Sequence, residues 1–151
     1  MLQEQIAQDL KAALLAGDTL QASVLRSIKS AITYAEVARG VKGGAGLDDT
    51  QLLEILAKES KKRQESADLF AGGGAHDRAE TELREKAIID RYLPAQLSKQ
   101  EIDKLLDEAV QELGPVSPQT MGQIIGRVKQ TAGAAGDGAA IANAVKERLK
   151  P

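Results

Sequence analysis

An all-α fold is predicted by two observations, the spacing of the apolar residues and the division of the chain at a proline. Apolar side chains recur three and four residues apart almost throughout, and no stretch shows the two-residue alternation of a strand. Pro94 must end a helix, because it lacks a backbone N–H and restricts the residue before it. Ser98 and Glu101 then form a capping box that begins the next helix. We therefore expect an N-terminal bundle of about four helices, residues 1–94, and a C-terminal three-helix unit, residues 95–151.

Glycine and proline mark the ends of the four helices predicted in the N-terminal domain. The first ends at Gly17, and the glycines of residues 40–46 predict a flexible connection after the second. The triple glycine at 72–74 ends the third helix, and Pro94 follows the fourth. The residues placed to cap the second and third helices are Asp18, and Asp48 or Asp49. The apolar residues expected on the four inward faces are Leu2, Ile6, Leu10 and Leu14; Leu20, Val24, Ile28, Ala31, Ile32 and Ala35; Leu52, Ile55 and Leu56; and Leu83, Ala87, Ile88 and Tyr92.

The three helices predicted in the C-terminal unit have the clearest apolar stripes of the chain. The first ends at Gly114 and Pro115. Ser117 is placed to cap the second, with Pro118 in its first turn, and Asp137 is placed to cap the third. The inward residues of the three helices are Ile102, Leu105, Leu106, Ala109 and Leu113; Met121, Ile124, Ile125 and Val128; and Ile141, Ala144, Val145 and Leu149.

Two glycine features of the C-terminal unit have more than one interpretation. Gly122 and Gly126 lie four residues apart beside an apolar stripe, so we expect Gly126 to pack closely against another helix. The alternative is that a partner molecule approaches this face. The turn at 133–138 opens a helix, where free N–H groups can bind phosphate. It lacks the Lys-Ser/Thr of a P-loop, so an interhelical turn is the preferred interpretation.

The composition offers few groups for catalysis. The 151 residues include no Cys, which excludes disulfides, thiolate nucleophiles and cysteine zinc sites. His76 is a lone histidine beside the triple glycine, and no carboxylates follow a metal-ligand spacing. No serine has a base placed by a motif. We therefore expect no catalytic residue, no cofactor and no metal, in a protein that is not an enzyme on its own.

Charge and hydropathy limit the partners that the chain can have. The net charge is −2, from 20 basic and 22 acidic residues, and neither domain has the basic excess that drives non-specific binding to nucleic acid. Any RNA contact must therefore come from a local patch. No segment reaches the roughly 18 apolar residues of a membrane span, and the N-terminus lacks a signal-peptide pattern. We expect a cytoplasmic monomer without a membrane segment.

The basic residues offer two candidate patches. Residues 58–66 place nine polar side chains in the middle of the third helix. Opposite charges four residues apart favour a solvated, self-paired helix, and the alternative is a docking surface for phosphates or a protein partner. The candidate RNA-binding residues are Arg127, Lys129 and Lys146 in the C-terminal unit, assisted by Arg26, Lys29, Lys61, Lys62 and Arg63.

Several short segments together resemble the YqeY family of small bacterial proteins. They are residues 25–29, 61–66, 92–94 and 121–126, and the glycine turn that ends at Asp137. The resemblance implies an N-terminal helical domain and a C-terminal three-helix domain. The latter is similar to the tail domain of the B subunit of the glutamine-dependent aspartyl/glutamyl-tRNA amidotransferase, and to appendages of some glutaminyl-tRNA synthetases. In those relatives the tail helps to hold tRNA.

This resemblance implies a non-catalytic module that binds tRNA or assists a tRNA-modifying or tRNA-charging enzyme. Two alternatives stay open: an accessory subunit of a glutamine-dependent carbon–nitrogen ligase whose catalysis lies in partner subunits, and a protein–protein adaptor with no RNA role. The family often carries basic residues where this chain has Ala75 and Ala134. If those residues touch RNA in relatives, two phosphate contacts are missing here.

Overall fold

Every regular element in the described part of the chain is helical. The computed structural model describes residues 1–40 and 46–149, so most of the predicted connection at 40–46 lies outside the described residues. The seven α-helices within these ranges are α1 (Leu2–Ala16), α2 (Thr19–Ala38), α3 (Asp49–Gly72), α4 (His76–Asp90), α5 (Lys99–Leu113), α6 (Met121–Ala132) and α7 (Gly138–Leu149). A single 3-10 turn, Gly133–Ala135, precedes α7. The predicted all-α fold class is confirmed.

The chain forms two compact units, Met1–Leu93 and Pro94–Pro151. The first, which we call the N-terminal unit, contains α1–α4, and the second, the C-terminal unit, contains α5–α7. Each has its own aliphatic core. The core of the N-terminal unit consists of Ile6, Val24, Leu25, Ile28, Ile32, Leu47, Leu52, Leu56, Ile88 and Ile89. The core of the C-terminal unit consists of Ile102, Leu106, Ala109, Ile124, Val128, Ile141, Ala144 and Val145.

Side-chain caps begin most of these helices where the sequence predicts them. Asp18 accepts a hydrogen bond from the backbone N–H of Gln21 (3.1 Å) at the start of α2. Asp48, rather than Asp49, caps α3, and Ser98 forms the predicted capping box at α5. Such a cap contributes about 1 kcal/mol. These predictions succeed because a cap depends on residues within one turn of each other.

The predicted cap at Ser117 is wrong, because α6 begins four residues later at Met121. The Ser117 hydroxyl accepts from the backbone N–H of Thr120 (3.2 Å), and Thr120 Oγ1 accepts from the Ser117 N–H (2.9 Å). The Thr120 hydroxyl also donates to the carbonyl of Pro115 (2.9 Å). These bonds close a separate turn through Pro118, so the helix starts only after Thr120.

The inward faces predicted for the N-terminal unit need correction near the helix ends. Leu14 and Leu83 are 50% and 45% exposed, and Ala87 is also exposed. Leu25 and Ile89, which the spacing did not assign to the core, are 0% and 1% exposed. Only Ile88 and Ile89 of α4 join the core, so Leu83 lies before the turn that enters it, and Ala87 lies on the outward side of that turn.

The helices α3 and α4 continue past the core as an antiparallel pair. At 1.5 Å per residue, the 24 residues of α3 span about 36 Å, whereas the 15 residues of α1 span about 22 Å. The core receives Leu52 and Leu56 from the first half of α3 and Ile88 and Ile89 from the end of α4. We call the remaining stretch, residues 61–87, the arm. Its buried apolar side chains are two alanines, Ala67 and Ala79.

A hydrogen bond joins the first helix of the N-terminal unit to the residues that follow its last helix. The Tyr92 hydroxyl donates to Asp9 Oδ2 of α1 over 2.5 Å. Burial raises the pKa of Tyr92, and the bond to Asp9 and its charge raise it further. Leu93 packs on the same core. The Tyr-Leu part of the Tyr-Leu-Pro segment therefore has a structural role.

Candidate nucleic-acid interface

Lys129 is the candidate residue with the clearest setting for an anion. It is exposed on α6, and a Cβ placed on Gly138, the first residue of α7, would lie 3.1 Å from its Nζ. No carboxylate of the described residues lies within 4.0 Å of this ammonium. The N–H groups that open a helix favour negative charge. Asp137 occupies one of them by accepting from the Ala140 N–H (3.2 Å).

The other two candidates of the C-terminal unit differ in their pairing. Arg127 forms an ion pair with Glu112 of α5, although both side chains are well exposed. Lys146 is exposed in the last turn of α7 and has no ion-pair partner among residues 46–149 or 1–40. An exposed pair contributes about 1 kcal/mol or less, so a phosphate can replace Glu112 at Arg127.

The turn before α7, residues 133–137, contains no basic residue, and Ala134 stands where the YqeY family often has one. Ala134 lies in the 3-10 turn, and its carbonyl accepts from Gln96 Nε2 (3.2 Å). The backbone N–H of Leu97 donates to the neighbouring Ala135 carbonyl (2.8 Å). These two bonds hold the turn against the segment that enters α5. Among the described residues, Lys129 is the cation that lies beside the start of α7.

Arg26 and Lys29 lie exposed on α2 in the N-terminal unit. Neither has a carboxylate within 4.0 Å in the part of the chain that the structure describes. Lys29 also lines a recess of about 110 Å³ between α1 and α2, together with Leu10 and Thr33. Tyr34, two helical turns beyond Arg26, is 79% exposed, and sequence reasoning missed it as a functional candidate. Its position on the polar side of α2 was the available signal.

The cations of α3 do not form one surface. Lys61 is exposed, and Lys62 lies 3.2 Å from Glu59. Arg63 instead faces α4, where its Nη1 lies 2.9 Å from Glu85 Oε2 and 3.5 Å from Glu82 Oε2. Arg63 is therefore not available to RNA, contrary to the prediction. The prediction that the charges of α3 pair with one another is also wrong for Arg63, because its partners Glu82 and Glu85 lie on α4.

The arm is held together by a half-buried polar network. Burial raises the pKa of Glu85; Arg63 opposes the rise, and the charge and hydrogen bond of Glu82 add to it. Where the arm joins the rest of the unit, the buried Ser60 hydroxyl donates to Asp90 Oδ1 (2.5 Å), and Lys86 Nζ lies 2.6 Å from Asp90 Oδ2. These groups explain why residues 58–66 are polar although one side of them faces another helix.

Gly126 does not pack against another helix, and that prediction is wrong. Gly122 and Gly126 are both exposed, and a Cβ on either would meet no heavy atom within 4 Å. The buried residues of α6 are Ile124 and Val128, which lie on the other side of the helix. The two glycines therefore lie on the open face of α6.

The described residues contain neither a metal-ligand cluster nor a helix that could cross a membrane. Among residues 1–40 and 46–149, no cluster of three or more His, Asp or Glu side chains could hold a metal ion. None of the helices in these ranges combines the length and the apolarity that a membrane crossing needs.

The described residues thus form an all-helical protein with exposed cations in both units. A family model described as "Yqey-like protein" matches residues 3–149, and the chain belongs to the YqeY family. The likeness of its C-terminal unit to the amidotransferase tail stays a prediction.

Curated relatives carry the name "Altered inheritance of mitochondria protein 41, mitochondrial". The protein from Meyerozyma guilliermondii is 30% identical over 131 residues, which cover 85% of this chain and 67% of that protein. The Kluyveromyces lactis protein is 29% identical over 127 residues, covering 82% and 66%. The Komagataella phaffii protein is 33% identical over 102 residues, covering 64% and 52%. The matches therefore span about two thirds or less of these relatives.

The predicted cytoplasmic location is contradicted by these names, each of which describes its protein as mitochondrial. The prediction depended on the lack of a long apolar segment and of a signal-peptide pattern. Neither property distinguishes the cytoplasm from a mitochondrial compartment, so neither could determine the location.

Proposed function

We propose that this protein is a non-catalytic module that binds tRNA or assists an enzyme that acts on tRNA. The principal RNA surface is the C-terminal unit. The observation that carries the proposal is the position of the Lys129 ammonium beside the first residue of α7, without a carboxylate partner within 4.0 Å in the described ranges. A backbone phosphate at this point meets one full positive charge and the N-terminal end of a helix, where one N–H group is already bonded to the Asp137 carboxylate.

Membership of the YqeY family supports the same proposal. The resemblance of the C-terminal unit to the amidotransferase tail implies a role in holding tRNA while chemistry occurs elsewhere. Since the relatives are named as mitochondrial proteins, mitochondrial tRNA is one of the tRNAs to be tested. Lys146 and the exposed Arg127 would supply further phosphate contacts.

The slightly negative net charge limits the affinity of this surface. We expect a dissociation constant for tRNA in the micromolar range or weaker, and a steep dependence on salt. With about three to five phosphate contacts, the slope of log affinity against log salt is roughly −3 to −4. Filter binding or fluorescence anisotropy between low and physiological salt measures both quantities.

Two variants, each of which replaces one lysine by alanine, test whether the RNA surface lies at Lys129. Lys129→Ala should lower tRNA affinity and flatten the salt slope by about one unit, because one phosphate contact is lost. Lys99→Ala is the matched control, since Lys99 is exposed in the same unit and lies 3.6 Å from Glu147. It should leave the slope nearly unchanged. Both variants should keep their thermal stability within about 0.5 kcal/mol.

Double variants then compare the two units. Replacing Arg127 and Lys129 together should reduce binding more than replacing Lys61 and Lys62, if the C-terminal unit is the principal surface. The reverse order would assign the surface to α3. If the unaltered protein does not retain tRNA at low salt, or if no variant changes retention, the RNA proposal is wrong and the adaptor alternative replaces it.

A further inference from the structure

On the outward side of α2, the exposed ring of Tyr34 lies in the same row along the helix as the cation of Arg26. Arg26, Ser30, Tyr34 and Val37 follow one another at four- and three-residue spacing, so they lie in one row along the helix. We call this row the α2 face. Tyr34 and Val37 are 79% and 74% exposed, and Arg26 and Ser30 are exposed as well.

The opposite side of α2 fixes the direction of this face. Val24, Leu25, Ile28 and Ile32 are between 0% and 3% exposed and belong to the core of the N-terminal unit. The helix cannot rotate to bury Tyr34 without exposing these four side chains. Each of them gains about 1.5–3 kcal/mol from burial, so the ring stays in solvent within this unit.

Two cations of α2 that precede the ring are suited to an anionic ligand: Arg26 lies in the row of Tyr34, and Lys29 lies on the side of the helix towards α1. Arg26 and Lys29 have no carboxylate within 4.0 Å among the described residues, and α2 contains no acidic residue before Glu36. Arg26 lies eight residues before Tyr34, a rise of about 12 Å along the helix. Ser30 stands between them with a small side chain, so the backbone of a ligand can lie close to the helix.

We propose that the α2 face binds an unpaired stretch of RNA, with one base stacked on Tyr34 and a phosphate at Arg26, and that Lys29, on the flank of the same helix, attracts a further phosphate of that stretch. The inference rests on the proposed RNA function and adds the kind of RNA and a second contact surface. An exposed ring can stack on a base only when that base is outside a duplex, as in a loop or at a single-stranded end. Stacking of this kind tolerates any base.

Because aromatic residues are scarce, the fluorescence of Tyr34 itself can report the binding of RNA to the α2 face. The chain has no Trp and only two Tyr, so a Tyr92→Phe variant emits from Tyr34 alone. The titrants are a uridine dodecamer, a paired RNA dodecamer and inorganic polyphosphate, which offers the charges without bases. If Tyr92→Phe does not fold, the emission of the unaltered protein minus that of Tyr34→Phe gives the same signal.

The uridine dodecamer should quench Tyr34, and polyphosphate should bind without quenching. Tyr34→Ala should weaken binding of the dodecamer at least about fivefold, whereas Tyr34→Phe, which keeps a ring, should change it by less than about twofold. Affinity for polyphosphate should be the same in all three proteins. Because Tyr34 is exposed, neither substitution should alter the melting temperature.

Four results would overturn the inference, and the first three leave the proposed function standing. If the dodecamer or tRNA binds and the Tyr34 emission does not change, the α2 face is wrong and the RNA function stands. Quenching by the paired RNA as strong as that by the single strand would also exclude stacking. A change of emission with protein concentration alone would show that a second copy covers the face. If no RNA binds, the inference and the proposed function fail together.

Discussion

At the scale of single residues, two glycines of the C-terminal unit have opposite surroundings. A Cβ on Gly136 would lie 2.6 Å from the Cβ of Ala132 and 3.0 Å from Cδ1 of Ile141, whereas one on Gly126 would meet nothing within 4 Å. Gly136→Ala should therefore destabilise the protein by about 1–3 kcal/mol through overpacking. Gly126→Ala should stabilise it by up to about 1 kcal/mol, because alanine is the better helix former. Urea unfolding of the two variants measures both changes, and equal effects would contradict the packing described here.

Tyr92 gives a prediction that depends on pH. Tyr92→Phe should cost about 1.5–3 kcal/mol at pH 7, the value of a hydrogen bond to a charged group. Burial and the bond to Asp9 raise the pKa of Tyr92 above its ordinary value of 10.0. A raised pKa means that folding favours the protonated phenol, so this contribution is complete below pH 10 and decreases as the pH rises further. The stability difference between the two proteins should therefore narrow at alkaline pH, and a difference that grows there would be inconsistent with this bond.

At the scale of the element, the arm should become more stable when one of its carboxylates loses its charge. The pKa of Glu85 is raised, mainly by burial. Its contribution to stability is therefore complete below its ordinary pKa of 4.5 and is lost as the pH rises through the raised value. Glu85→Gln should raise the melting temperature at pH 7, and the gain over the unaltered protein should shrink towards pH 4.

A neighbouring glutamate on α4 serves as the control for this prediction. Glu80 pairs with Arg84 over 2.8 Å, and both side chains are more than 60% exposed. Glu80→Gln should change the melting temperature little at any pH, because exposed pairs contribute little. If both substitutions shift the melting temperature equally, the arm is not held by the half-buried network of Arg63, Glu82 and Glu85.

At the scale of the whole molecule, the C-terminal unit should fold without the rest of the chain. It has its own core, in which Leu106, Ile124 and Val145 are completely buried. A fragment of residues 94–151 should therefore show a helical circular dichroism spectrum and a cooperative melt, although such small domains are only marginally stable. The same fragment with Val128→Asp should not. A fragment that melts without cooperativity would show that this unit depends on the other.

Much of this fold could be predicted because its signals are local. The capping box at Ser98 and the cap at Asp137 act within one helical turn, and both mark the start of a helix in the structure. Pro94 follows the end of α4 by four residues and begins the second compact unit. The partners of Arg63 could not be predicted, since Glu82 and Glu85 lie on another helix. Sequence spacing gives the side of a helix on which a residue lies, but not what occupies that side. Gly126 was misplaced for this reason.

The bond between Tyr92 and Asp9 has a consequence for the order of events on the ribosome. The two residues are 83 positions apart. At a synthesis rate of about 5–20 residues per second, Asp9 is made roughly 4–17 s before the tyrosine that it binds. During this interval α1 can pack against α2, but its hydrogen bond to Tyr92 cannot yet form. The C-terminal unit begins two residues after that tyrosine. All the residues of the N-terminal unit are therefore synthesised before the core of the C-terminal unit is complete.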